Sequence, residues 1–160
     1  MNDLRIEPIG KVSTEVTEIT SSQMEDTTAI SELFIYKKYE ECLDGIEGYS
    51  HIIVCYWAHL VSESERKMKK VHPKGNRDLP EKGIFATRSQ ARPNPICLTT
   101  VELLKRENNI LLVKGLDALN NSPILDIKPH VVHFDAPSNP SLPEWVKKLG
   151  DFPANKKMKK

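Results

Sequence analysis

Three recurrent signatures are missing from this 160-residue chain: the dinucleotide-binding GxGxxG, the phosphate-cradling GxxxxGK[ST] and the GxSxG nucleophile elbow. The seven glycines are scattered singly, so no glycine-rich loop brings backbone up to a pyrophosphate, and a Rossmann-type cofactor site is excluded. Cysteine is scarce as well. Cys42, Cys55 and Cys97 are odd in number and widely spaced, with no CxxC pair, which suits reduced thiols better than a disulfide framework. His130 and His133 lie three apart in HVVHF; read as a strand, that run sends them to opposite faces, so no metal is expected. No apolar run reaches the roughly 20 residues of a membrane span, and no cationic start leads into an apolar stretch. A cytoplasmic protein without membrane contact is expected. An excess of charge of one sign is lacking too: 23 Lys and Arg against 22 Asp and Glu give +1, a balance that does not by itself mark a nucleic-acid binder.

What is present fits one domain, since a chain of this length buries roughly 70% of its unfolded surface in a single core. Residues 1–150 are expected to form it, with a Lys-rich tail at 151–160. Apolar alternation predicts an opening strand over 4–12 and a second over 29–35, then a short amphipathic helix over 38–43 that stops near Gly45 and Gly48. The apolar, β-branched and aromatic run HIIVCYWAHL predicts a buried central strand. Residues 62–82 are charged and carry Pro73, Gly75 and Pro80, which predicts a long exposed excursion with one helical turn at its start. Strands are expected at 83–87, at 96–104 and 110–113 joined through Asn108-Asn109, at 124–127 and at 131–134, and a terminal helix at 143–149. About seven strands against two or three short helices, with no strand-helix alternation, make the fold mainly β, closed or nearly so.

Two segments carry chemistry. In GIFATRSQARPNPICLT, Pro93 and Pro95 fix their own φ and bias Arg92 and Asn94 toward extended geometry, so Arg88 and Arg92 are held in defined directions. A guanidinium fork suits a carboxylate or phosphate, and an Asn amide both donates and accepts; a Pro-braced turn whose arginines pair locally is the competing reading. The second segment, from Arg66 to Arg77, holds Arg66, Lys67, Lys69, Lys70, Lys74 and Arg77 without one acid, and is either a solvated loop or an electrostatic guide for RNA.

The run at 83–99 resembles the GIFATRSPxRPNPIGLS pattern of the TrmO-like methyltransferases. Further segments match in the same order: the amino-terminal PIGKVST, GIEGYSHIIVCYWAH, the pair His72-Pro73, and SPILDIKP, so that most of 45–129 is covered. The resemblance implies a β-barrel-like fold, S-adenosylmethionine as cofactor, a homodimer, and N6-methylation of threonylcarbamoyl-adenosine beside the anticodon of tRNA. By matching motif it implies cofactor contacts from Gln23, His59, Leu60, Arg88, Leu98, Ser122, Pro123 and Ile124, several of them through backbone. Three departures stand out. Gln90 occupies a usual Pro position, Cys97 the Gly of PIGLS, and Asn120-Asn121-Ser122 a position usually read as Asp-Gly-Thr.

A urea-like nitrogen is a poor nucleophile, so transfer calls for a group that accepts its proton. Asp126 and His59 are the catalytic candidates, with Asp117 a further carboxylate; Asp126 sits among apolar neighbours in PILDIKP, where pairing with Lys128 is the alternative role. Arg92, Asn94, Lys69, Lys70 and Lys74 are the candidate RNA contacts. Tyr49, Tyr56 and Trp57 are candidates for stacking an unpaired base, although Tyr56 and Trp57 fit the core better. Two alternatives stay open: a non-tRNA acceptor, and a non-catalytic S-adenosylmethionine-binding module.

Overall fold

The computed structural model describes residues 5–17 and 28–149. Six antiparallel strands close a barrel in the order β1-β2-β7-β6-β3-β8: β1 Gly10–Ser13, β2 Ile30–Ile35, β3 His51–Trp57, β6 Ile96–Glu107, β7 Ile110–Lys114 and β8 Pro123–Pro129. Closure gives every strand two neighbours and removes the exposed edges of an open sheet. The mainly-β expectation is met. A two-stranded ribbon of β4 Lys70–Val71 and β5 Lys82–Gly83 stands outside the barrel.

Alternation explains the core. In β3 the residues Ile52, Val54 and Tyr56 point inward at 0%, 0% and 4% exposure, while His51, Ile53, Cys55 and Trp57 face outward. Leu33 and Ile35 of β2, Val101 of β6, Leu111 and Val113 of β7 and Ile124 of β8 complete the filling. β3 pairs with β6 over its whole length and with β8 on its other side, so it is central, as its composition predicts. The register with β8 shifts between Cys55 and Tyr56, bringing Ile124 opposite Tyr56; such irregularities re-aim side chains. The hairpin turn is as expected, with Asn108 in left-handed geometry at φ 54°.

Three segments differ from their sequence reading. The opening strand starts only at Gly10: the Ile9 N–H and carbonyl make the last bonds, to Ile124 and from Tyr36, and Pro8 before it has no N–H to extend the ladder. Residues 83–87 leave the extended state after Gly83 and form a 3-10 turn, Ile84–Ala86; β4 has supplied its last partner once the Ile84 N–H reaches the Lys69 carbonyl. Residues 131–134 form no strand. Beyond Pro129 the His130 N–H bonds the His51 carbonyl at the very start of β3, no further strand lies alongside, and the chain coils into α2, Val132–Asp135, with Asp135 accepting from the Val131 N–H. The face argument for His130 and His133 therefore loses its strand; the His130 ring packs edge-on to His51 instead, with centroids 6.4 Å apart.

The other helical pieces are short. The 38–43 expectation is met by a 3-10 helix, Lys37–Leu43, after which Gly45 turns the chain at φ 87°. Helix α1, Glu63–Arg66, opens the excursion with a capping box between Ser62 and Glu65, and α3, Glu144–Lys147, follows Pro143. Among the described residues no helix is long and apolar enough to cross a membrane, and all three cysteines are free thiols.

Candidate functional site

The antiparallel order sends the carboxyl ends of β1, β3 and β7 and the amino ends of β2, β6 and β8 to one mouth of the barrel. A cavity of about 270 Å³ opens there, lined by Thr17, Tyr56, Ala58, His59, Leu60, Val61, Glu65, Gln90, Asp117, Leu119 and Ser122. That volume lies near the lower end of small-molecule sites. Four segments far apart in sequence meet at it: Thr17 beyond β1, the 56–65 run leaving β3, Gln90 of the Pro-braced loop, and the 117–122 connection into β8.

Local hydrogen bonds fix each piece. Ser122 is 1% exposed, and its hydroxyl lies 3.3 Å from His59 Nδ1. Asn121, just before it, adopts φ 63°, a left-handed conformation that Asn tolerates better than most residues. The Asn121 N–H donates to the Val12 carbonyl and the Val12 N–H to the Ser122 carbonyl, tying this connection to β1. Tyr56 OH donates to Asp117 Oδ1 at 2.9 Å, and the Thr99 hydroxyl donates to the same oxygen. Burial, and after it the Asp117 charge, pushes the Tyr56 phenol far above its ordinary range; it stays protonated, and so remains a donor, throughout the neutral range. Cys97 faces the same group across the sheet, and burial raises its thiol. Glu65 accepts from the Ser62 N–H at 2.8 Å and from the Ser62 hydroxyl at 2.6 Å, and these bonds hold its carboxyl below the usual range.

The arginines of the Pro-braced loop turn to backbone. Arg92 Nε donates to the Ser89 carbonyl at 2.7 Å and its Nη2 to the Thr87 carbonyl at 2.8 Å, while Arg88 Nη2 donates to the Leu98 carbonyl at 2.7 Å. Arg66 reaches across from α1 to the Pro93 carbonyl at 3.0 Å and lies over the Trp57 ring. Pro95, fully buried, gives its carbonyl to the Ala58 N–H at 2.8 Å. The guanidinium groups thus stiffen the loop and dock it beside the mouth.

Of the expected cofactor residues, the structure gathers His59, Leu60 and Ser122 into the cavity wall. Pro123 and Ile124 continue directly from Ser122 into β8, with Ile124 fully buried in the core. Leu98 is 50% exposed on β6, beside Arg88 through its carbonyl. Gln23 lies outside the described residues, as does the 151–160 tail. Asp126 is not brought to the cavity: it sits opposite the outward-facing Cys55, paired with Lys128 Nζ at 2.7 Å and accepting from the Ile127 N–H. Asp117 takes the carboxylate position at the mouth instead. Lys69, Lys70, Lys74 and Asn94 are exposed, the lysines along the ribbon and its turn and Asn94 on the Pro-braced loop. The ribbon turn is set by His72, whose Nδ1 lies 2.8 Å from the Leu79 carbonyl. Tyr56 is core, whereas Trp57 is half-buried under Arg66. Glu65, Thr17 and Thr99 were absent from the sequence reading as site residues; for Glu65 the signal existed, since Ser62-x-x-Glu65 reads as a capping box.

Residues 12–136 match the family model for the tRNA-methyltransferase O N-terminal domain. A probable S-adenosyl-L-methionine-binding protein of Methanothermobacter thermautotrophicus is 41% identical over 136 residues, covering 84% of this chain and 95% of that one. The human tRNA (adenine(37)-N6)-methyltransferase is 35% identical over 118 residues, covering 74% of this chain and 25% of its own length. The crystal structure of TrmO from Pseudomonas aeruginosa superposes with a TM-score of 0.68 at 28% identity, over 87% of this chain and 61% of that one. This chain therefore spans the whole of the archaeal relative and only part of the other two. With a matched model over most of its length and an archaeal relative aligned almost end to end, the chain belongs to the tRNA-methyltransferase O N-terminal domain family.

Proposed function

We propose that this protein is an S-adenosylmethionine-dependent methyltransferase, acting as a homodimer on the N6 position of threonylcarbamoyl-adenosine beside the anticodon of tRNA. The observation that carries the reading is the convergence of His59, Leu60 and Ser122 on one cavity at the barrel mouth. The names of the archaeal and human relatives support the cofactor and the reaction respectively.

The residues at the mouth fit this cofactor. Ala58, Leu60, Val61 and Leu119 offer apolar faces for an adenine ring, Ser122 and His59 offer polar atoms, and Glu65 and Asp117 supply negative charge for a cation. The cofactor brings a methyl group already activated on a positively charged sulfur. The chain's own task is then to align the acceptor nitrogen behind that methyl and to exclude water. Leu60, Leu98 and Phe85 are exposed at 64%, 50% and 83%. Leu60 lies in the cavity wall, and apolar exposure there supports the homodimer reading, because a second copy would cover it and enlarge a cavity that is small for the whole cofactor. Lys69, Lys70 and Lys74 extend from the barrel on the ribbon, where they act as the electrostatic contact to RNA phosphates.

The test is incubation of the protein with methyl-labelled S-adenosylmethionine and tRNA with and without the threonylcarbamoyl group, followed by mass spectrometry of the nucleosides. Label confined to the modified adenosine is expected. Cofactor binding with no label on either RNA would overturn the tRNA assignment. Charge reversal of Lys69, Lys70 and Lys74 together is expected to weaken tRNA binding at least tenfold at low salt and to flatten its salt dependence.

A further inference from the structure

We infer that Asp117 is the residue by which the cavity distinguishes its positively charged cofactor from the neutral thioether left after methyl transfer. The inference rests on the methyltransferase reading and assigns a specificity role within that same site. Methyl transfer breaks the carbon–sulfur bond and leaves its electron pair on sulfur, so a sulfonium becomes a thioether. The acceptor nitrogen gains the carbon and releases its proton to water. Only one of the two bound species therefore carries a positive sulfur, and a fixed negative charge at the cavity favours it over the other.

Among the described residues the wall has two carboxylates and no lysine or arginine. Glu65 is fixed only within its own turn, since one of its oxygens takes both the N–H and the hydroxyl of Ser62 in the capping box that starts α1, and among the described residues no barrel strand anchors it. The neighbouring cations are committed elsewhere: Arg66, Arg88 and Arg92 each donate to a backbone carbonyl of the Pro-braced loop or of β6. None of them forms an ion pair with Asp117 among the described residues.

Asp117 differs from Glu65 in how it is held. Its Oδ1 receives the hydroxyls of Tyr56 and Thr99, from β3 and β6 respectively, whereas Oδ2 accepts no hydrogen bond from the described residues. Tyr56 is 4% exposed and locked in the core, so the carboxylate is oriented before any ligand arrives and needs no reorganisation to meet a cation. The attraction between opposite charges is weak in water and grows severalfold at the lower dielectric of a protein surface. For a partly exposed carboxylate this corresponds to about tenfold in affinity.

The experiment measures dissociation constants of S-adenosylmethionine and of S-adenosylhomocysteine by calorimetry, for the unsubstituted protein and for Asp117→Asn and Asp117→Glu. Asp117→Asn is expected to weaken S-adenosylmethionine about tenfold while leaving S-adenosylhomocysteine within twofold, and Asp117→Glu to recover much of the difference. Equal losses for both ligands, or no loss for either, would overturn the assignment and leave the methyltransferase reading standing. Should Asp117→Asn fail to fold, Thr99→Val keeps the charge but removes one anchor, and a selective loss of S-adenosylmethionine affinity is again the expected result; an unchanged ratio of the two affinities overturns it. If the unsubstituted protein binds neither molecule, the proposed function falls and this role falls with it.

Discussion

The two ends of the barrel are built from the same strands and finished in opposite ways. At the end away from the cavity, Arg106 of β6 is only 16% exposed in its side chain. It donates to the Leu43 and Asn108 carbonyls at 2.9 and 3.0 Å and pairs with Asp44 at 3.0 Å and Glu47 at 3.4 Å. The hydrogen bond to Asp44 leads the interactions that raise its already high pKa. Its partners lie on the β6–β7 turn and on or beside the 3-10 turns Lys37–Leu43 and Ile46–Gly48 that cover this end, so the network is a structural plug. At the other end a carboxylate and an imidazole each keep polar capacity turned toward a cavity. A satisfied network stabilises its surroundings, and an incompletely satisfied one at an open mouth is where ligand chemistry is to be sought.

The largest effect should come from abolishing the frame that both ends share. A Cβ at Gly10 would stand 2.3 Å from the Phe34 carbonyl oxygen and 3.0 Å from Ile35 Cα, both backbone atoms of β2. Gly10→Ala is therefore expected to cost about 3 kcal/mol or more in denaturant unfolding, and a change below 1 kcal/mol would mean that the β1–β2 seam yields. Next comes Arg106→Ala, which strips the plug while leaving the mouth untouched. Its melting temperature should fall by several degrees with S-adenosylmethionine affinity unchanged, and a loss of affinity would show that the ends are coupled. The smallest effect is a pH dependence at the mouth. Tyr56 has its folded pKa raised above the ordinary 10.0, so the unfolded chain loses this proton first as pH rises. The stabilising contribution is complete below pH 10 and declines above it. Unfolding measured from pH 8 to 11 should show that decline, and Tyr56→Phe should lessen it; identical curves would mean that the phenol ionises freely.

The plug and the mouth were also unequally legible. Strand β3, the hairpin at Asn108 and the stop at Gly45 follow from apolar alternation and turn chemistry, which are local. The motif at 83–99 lies beside the barrel mouth, where its Gln90 lines the cavity, but the partners of its arginines did not follow from spacing, because backbone carbonyls leave no trace in residue type. Residues 131–134 look like a strand by composition and coil because β3 begins only at His51 and leaves them no partner, a fact set by another part of the chain. Asp126 attracted attention for its apolar neighbours, yet the register shift between Cys55 and Tyr56 breaks alternation along β8 and sets it opposite the outward-facing Cys55, away from the mouth. Asp117 lies in a connection without periodicity, and only the barrel brings it to Tyr56 and Thr99.

Barrel closure also has a consequence for biosynthesis. The seam between β1 and β8 joins Gly10 to Ile124 and Lys11 to Pro123, so the first barrel strand to leave the ribosome must wait for the last. The hydroxyl of Ser122 is not set beside His59, and the wall there is not complete, until that late partner has been made. A nascent chain interrupted before Pro123 can form the β6–β7 hairpin and pair β3 with β6, but it holds no binding mouth. Long-range pairings of this kind slow folding, and they make ligand capture report a finished chain.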